Sequence, residues 1–193
     1  MFFAESQWAI DALGPIAERL TSAIDVGAGS ARYRTRAQNR SVYDFLRAKN
    51  VRLTTLDSNP ASACDVCADI TKASTMTACS VTYDLVLCTS VLEHVADVRA
   101  AAATLRRLTK PGGYLLITAP RSYPRHHAPI DTGYRPTNWE LETLFSGLTV
   151  LHSEIICPPR DKWFHWFIFP PALSIPSVSC VLLQNERDRS PRG

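Results

Sequence analysis

The 193-residue chain lacks the run of about 18 consecutive apolar residues that a membrane span needs. Its first stretch, MFFAESQWAIDALGPIAERL, has no basic start and places Glu5 and Asp11 among the apolar residues, which speaks against a secretory leader. A cytoplasmic protein with reduced thiols is therefore expected. Charge of one sign is also lacking: 21 Lys and Arg stand against 18 Asp and Glu, a net charge of +3, too mild for the clustered basic face of a nucleic-acid binder. Six cysteines are present, but only Cys64 and Cys67 form a close pair. No second pair follows at a zinc-site spacing, so no metal is expected. No internal repeat and no composition break divides the sequence. The expectation is one domain over residues 1–186 and a polar tail, NERDRSPRG, whose last seven residues, 187–193, lie outside it.

What is present is enough for a full core, with 46% hydrophobic residues and a mean hydropathy of −0.07. The pattern alternates along the chain. SAIDVGAG is a short apolar run ending in a glycine turn, and SVYDFLRAKN sets Val42, Phe45 and Leu46 at helical spacing. VRLTTLD then alternates with a period of two before an Asp-Ser-Asn-Pro turn, completing a βαβ unit. CDVCADI reads as a third strand and YDLVLCTS as a buried fourth. Asp97 caps a helix whose Val98, Ala101, Ala102, Leu105 and Leu108 share one face; KPGG stops it, and YLLITAP is the fifth strand. The helix PTNWELETLFSG, the strand LTVLHSEII, an aromatic stretch and a last strand SVSCVLLQ complete the order. Strands alternating with helices predict an α/β fold, a parallel sheet covered on both faces.

In such a sheet, ligands sit beyond the carboxyl ends of the strands, where strand order reverses. Gly27 and Gly29 in AIDVGAGSARYR lie there and let a ligand approach the main chain. A nucleotide site wants an acid at the end of the second strand to accept the ribose hydroxyl protons, and Asp57 occupies that place, the alternative being an ordinary strand-to-helix turn. Asp57 lies 28 residues beyond Gly29, against a usual gap of about 20, which implies extra residues before the first helix. The dinucleotide version needs a third small residue, where this chain has Arg32. Asp25, just before the glycines, would repel a pyrophosphate and suits an ammonium or sulfonium. The turn is therefore shaped for a ribose-bearing ligand with positive charge and no phosphate.

DVGAGSARY, LTTLD, CDVCADI and YDLVLCTSVLEHVADVRAAAATLRRLTKPGGYLLITAP, in that order, resemble a class I S-adenosylmethionine-dependent methyltransferase of the small type with Leu-Glu-His after the fourth strand. HHAPIDTGYRPTNWELETLF resembles the segment downstream in such enzymes. The resemblance implies a Rossmann-like, seven-stranded, mostly parallel sheet with its last strand antiparallel, and S-adenosyl-L-methionine as cofactor. It places Asp25, Gly27, Ala28 and Gly29 along the methionine moiety, Asp57 with Ser58 at the ribose, and Asp69 with Ile70 at the adenine. Cys88, Thr89 and Ser90 would lie under the cofactor near the transferred methyl group.

Methyl transfer from a sulfonium is an in-line displacement in which a base matters only when the acceptor must lose a proton. Candidate bases are His126 and His127 on the loop leaving the fifth strand, then His94 and Glu93, which as plainly suit orientation of a helix start. Asp131 and Arg135 would either grip a polar substrate or pair with each other. The aromatic residues between 163 and 169 read as cover for the sheet edge, with a substrate lid or membrane-surface contact as the alternatives. Arg32, Arg34, Arg36 and Arg40 read as a solvated face, with phosphate or nucleic-acid contact as the alternative. The function expected is methyl transfer to an oxygen or nitrogen of a small molecule. The fourth strand does not end in Asn or Asp followed by Pro-Pro, which disfavours a nucleic-acid methyltransferase. A non-catalytic partner subunit is the remaining class.

Overall fold

The computed structural model describes residues 3–79, 81–126, 130–157 and 176–186. Seven strands form one sheet: β1 (Ser22–Val26), β2 (Arg52–Asp57), β3 (Val66–Cys67), β4 (Tyr83–Thr89), β5 (Thr109–Ser122), β6 (Thr149–Ile156) and β7 (Ser177–Gln184). Their spatial order is β3-β2-β1-β4-β5-β7-β6. β1 pairs in parallel with both β2 and β4, whereas β7 runs antiparallel to both β5 and β6. The chain therefore leaves β1 toward one edge and returns on its other side at β4. That reversal opens a crevice above the carboxyl ends of β1 and β4.

Alternation along the inner strands divides the core into two layers. Ile24, Val26, Val86, Cys88, Leu115 and Ile117 point to one face, and Ala23, Leu85, Leu87, Tyr114 and Leu116 to the other. Both faces are apolar because both are covered, as a central parallel sheet requires. On the first face lies α5 (Val98–Leu108), which presents Ala101, Ala102, Leu105 and Leu108 to the sheet and has Val98 packed at its margin. Its expected cap is in place: the Asp97 carboxylate accepts the Ala100 N–H at 2.9 Å. Leu141 of α6 (Asn138–Leu144) and Phe145 extend the same layer. Thr137 caps α6 in a reciprocal box with Glu140, so the helix starts just after Pro136 and ends short of Gly147. The other face is closed by α3 (Ala37–Ala48), through Val42 and Leu46, and by α1 (Phe3–Leu13), through Trp8 and Leu13.

Several elements differ from the pattern read along the sequence. The N-terminal stretch, read above only for its lack of a leader, forms α1, with Glu5 fully buried on it. The residues added between Gly29 and the first long helix form α2 (Ala31–Arg34), a single turn capped by Ser30. The third strand shrinks to two residues, and the short α4 (Ser74–Cys79) follows it. All six cysteines are free. Among the described residues, no helix is long and apolar enough to cross a membrane. The aromatic residues at 163–169 and the tail at 187–193 lie outside the described residues.

Candidate functional site

The glycine turn is held from below by β2. The Gly27 and Ala28 N–H groups donate to the Leu56 carbonyl at 2.8 and 3.0 Å. Gly29 N–H donates to one Asp57 carboxylate oxygen at 2.9 Å, and Asn59 N–H to the other at 2.8 Å. Each oxygen keeps a further lone pair, so Asp57 both anchors the turn and stays able to accept from a ligand. Gly27 adopts φ +73°, and a Cβ built there would lie 2.4 Å from Val91 Cγ2. No side chain fits.

Arg34 clamps the turn from above. Its guanidinium donates to the Gly29 carbonyl, to the Ser62 and Ala63 carbonyls at 3.1 Å each, and to Cys64 Sγ at 3.1 Å. The arginines read as one cluster thus divide by role. Arg36 lies over the Tyr33 ring, Arg40 pairs with Asp44, and Arg32 is exposed.

Above the strand ends lies an open cleft of about 1410 Å³. Gly27, Gly29, Asp57, Ser58, Asp69, Ile70, Thr89 and Ser90 all line it. Asp69 accepts from the Thr71 backbone and hydroxyl at 2.9 and 2.8 Å, which holds its carboxyl below the usual range. Ser90 takes a left-handed φ of 54° while its N–H donates to the Thr118 carbonyl. Asp25 and Ala28 instead line a pocket of about 20 Å³ beneath the turn, roughly the room for one water. Burial pushes the Asp25 carboxyl up to about 6, partly offset by the Tyr43 hydroxyl that donates to it. Cys88 does not reach the cleft: it is fully buried in the core, and burial raises its thiol.

The opposite wall gathers the candidate bases. His94 and His126 bring their rings to 5.0 Å between centroids, and both line the cleft with Glu93. His94 Nδ1 lies 3.1 Å from the Ile130 carbonyl, so that nitrogen carries the proton and Nε2 presents a lone pair. Burial lowers the His94 pKa and keeps the ring neutral at pH 7. Burial also pushes the Glu93 carboxyl up to about 7. Its backbone carbonyl accepts from the Thr132 N–H and hydroxyl at 2.7 and 3.0 Å, tying this segment to the loop before α6. His127 lies outside the described residues.

Asp131 and Arg135 pair with each other, Nη1 on Oδ1 at 3.1 Å and Nη2 on Oδ2 at 2.5 Å, and neither lines the cleft. Arg135 also donates to the Tyr123 carbonyl at 3.1 Å, so the pair braces two loops. One residue that sequence reasoning passed over is Glu5. It is fully buried and accepts from the Thr118 hydroxyl, at the carboxyl end of β5. The only signal for it was an acid inside an apolar helical stretch.

A seven-stranded sheet with β7 reversed, a glycine turn after β1 and an acid after β2 define the Rossmann-like methyltransferase fold. The chain belongs to that family: the family model described as a methyltransferase domain matches residues 5–163. Among solved structures, N-methyltransferase NodS from Bradyrhizobium japonicum WM9 is similar at 16% identity and a TM-score of 0.58, over 94% of this chain and 96% of that one. The 1,6-didemethyltoxoflavin-N1-methyltransferase of Burkholderia thailandensis, bound to 1,6-didemethyltoxoflavin and S-adenosylhomocysteine, is similar at 18% identity and a TM-score of 0.62, over 95% and 79%. A chain from the complex of the Haloferax volcanii Trm112 methyltransferase activator with a methyltransferase is similar at 17% identity and a TM-score of 0.61, over 94% of each. At these identities the likeness is one of fold. No curated protein matches the sequence.

Proposed function

We propose that the chain transfers a methyl group from S-adenosylmethionine to an oxygen or nitrogen of a small molecule. The observation that carries this reading is Asp57: a carboxylate fixed by Gly29 and Asn59 at the rim of the cleft, with lone pairs left over for ribose hydroxyls. The open backbone at Gly27 and Gly29 suits the chain of the amino acid moiety, and Asp69 with Ile70 suits the adenine. Asp25 offers negative charge to an ammonium or sulfonium through the turn. Relatives of the same fold, NodS and the toxoflavin enzyme, are seen with S-adenosylhomocysteine, which supports the same cofactor here.

When bound, the cofactor supplies an activated methyl group. The chain's own residues align the acceptor and exclude water, which by orientation alone can lower the barrier by about 7–11 kcal/mol. His126 or His94 takes the acceptor's proton where one must leave, from the wall facing the turn.

Calorimetry with S-adenosylhomocysteine tests the reading. Binding is expected, and Asp57→Ala should weaken it roughly tenfold or more while the fold survives, since hydrogen bonds to a charged group contribute about 1.5–3 kcal/mol. Binding of NAD with no response to S-adenosylhomocysteine would overturn it. Labelled methyl recovered in a nuclease-sensitive polymer would point to the nucleic-acid alternative. Cofactor binding without any methyl transfer would point to a non-catalytic partner subunit.

A further inference from the structure

We infer that the methyl acceptor is an amine nitrogen, selected by Glu93 together with His94 and His126; the inference rests on the methyltransferase reading above. Glu93 is 3% exposed and lines the cleft, yet its Oε2 has no hydrogen-bond partner among the described residues. His126 Nδ1, in the same wall, is likewise buried and unpartnered. A buried acceptor left without a donor costs about 1–3 kcal/mol, so a wall carrying two of them is incomplete without its ligand.

The protons on the two rings fix what that ligand must supply. His94 donates from Nδ1 to the Ile130 carbonyl, leaving the Nε2 lone pair 3.8 Å from Glu93 Oε1. That separation is too long for a direct hydrogen bond, and both atoms are acceptors. His126 Nε2 lies 3.8 Å from the Asp131 carboxylate, whose charge draws the ring proton to that nitrogen without a direct hydrogen bond and leaves the lone pair on Nδ1. With Glu93 ionised, the wall presents Glu93, His94 Nε2 and His126 Nδ1 as acceptors within one cluster, and a bound cation holds Glu93 in that form against the burial that raises its carboxyl to about 7. A hydroxyl brings one hydrogen. An ammonium brings three.

Charge points the same way. Arg135 acts on Glu93 to lower its carboxyl, and Glu5 and Asp131 act to raise it. Arg135 is engaged by both oxygens of Asp131, so the field left at Glu93 favours a cation. An amine delivered as its ammonium gives one proton to His94 Nε2 or His126 Nδ1. Its freed lone pair then forms the N–C bond as the methyl–sulfur bond breaks, with that electron pair remaining on sulfur. The methylated ammonium product leaves or loses a second proton to solvent. Glu93 holds the nitrogen in line throughout.

The full chain is incubated with a small-metabolite extract and S-adenosylmethionine carrying a trideuteromethyl group, and products are located by mass spectrometry and fragmentation. The expected label lies on nitrogen, and Glu93→Gln lowers it at least tenfold while S-adenosylhomocysteine affinity, read by calorimetry, stays within twofold of wild type. Label on oxygen or carbon, nitrogen label untouched by Glu93→Gln, or cofactor binding with no labelled product at all would each overturn the inference. Loss of S-adenosylhomocysteine binding by the wild-type chain would instead overturn the reading beneath it. Where Glu93→Gln does not fold, His94→Gln, at a half-buried ring, is held to the same nitrogen-label criterion.

Discussion

The two walls of the cleft are built on opposite terms. On the cofactor side, the turn is complete within the chain: Gly27, Ala28 and Gly29 donate into β2, and the Gly29 carbonyl is met by Arg34. On the wall proposed for the acceptor, Glu93 Oε2 and His126 Nδ1 are buried with no hydrogen-bond partner among the described residues. A closed network fixes shape before the ligand arrives, so on the proposed reading its ligand is recognised by fit and by the lone pairs Asp57 has to spare. An open network is finished by its ligand, so there recognition depends on which hydrogens the ligand brings.

The contrast is broken most severely at Gly27. Gly27→Val demands a β-branched side chain at φ +73° and drives Cβ into Val91, whose Cγ2 stands 2.4 Å from that position. Calorimetry should detect no S-adenosylhomocysteine binding, because the preformed wall has no slack. Retained affinity would mean that the turn is not rigid. The opposite wall should respond in rate instead. His126→Gln is expected to lower turnover about a hundredfold, the usual scale for a lost general base, with cofactor affinity unchanged. A variant that turns over like wild type would remove His126 from the chemistry and leave His94, its neighbour at 5.0 Å, as the base.

The two walls were not equally legible in the sequence. Gly27, Gly29 and Asp57 could be put at the strand ends beside the cleft because that position follows from strand order, which periodicity reveals. The brace of Asp131 on Arg135 was one of two alternatives because a four-residue spacing suits pairing and ligand binding alike. Which nitrogen of His94 carries the proton depends on Ile130, 36 positions away, and no local pattern encodes it. Glu5 was invisible as a site residue because its burial comes from α1 folding back over the ends of β5 and β7, a long-range contact. Arg34 was misplaced for a related reason: its partners, Ser62 to Cys64, lie beyond β2. Because it clamps a turn that β2 also holds, Arg34→Ala should cost about tenfold in S-adenosylhomocysteine affinity, roughly one charged hydrogen bond's worth. An unchanged affinity would show that the β2 contacts alone set the turn.

The smallest effect is expected at Asp25, where the cofactor wall carries a strain of its own. Its carboxyl ordinarily titrates near 3.8 and is raised to about 6 in the folded chain, chiefly by burial. Between those values the folded protein holds a proton that the unfolded chain has lost, so the stabilising contribution is complete below pH 3.8 and disappears as pH rises through 6. A neutral carboxamide at this position would imitate the protonated form at every pH. Asp25→Asn should therefore match wild type in Tm near pH 4 and exceed it by a few degrees above pH 7, the Tyr43 hydroxyl finding an amide oxygen in place of the carboxylate. The same change removes negative charge from beneath the turn and should weaken S-adenosylhomocysteine severalfold at pH 8. A gain in Tm without loss of affinity would show that the ionised carboxylate serves neither the fold nor the ligand. Loss of both would show that Tyr43 requires the charged partner, and that the 20 Å³ pocket beneath the turn is a structural joint and not part of the ligand's seat.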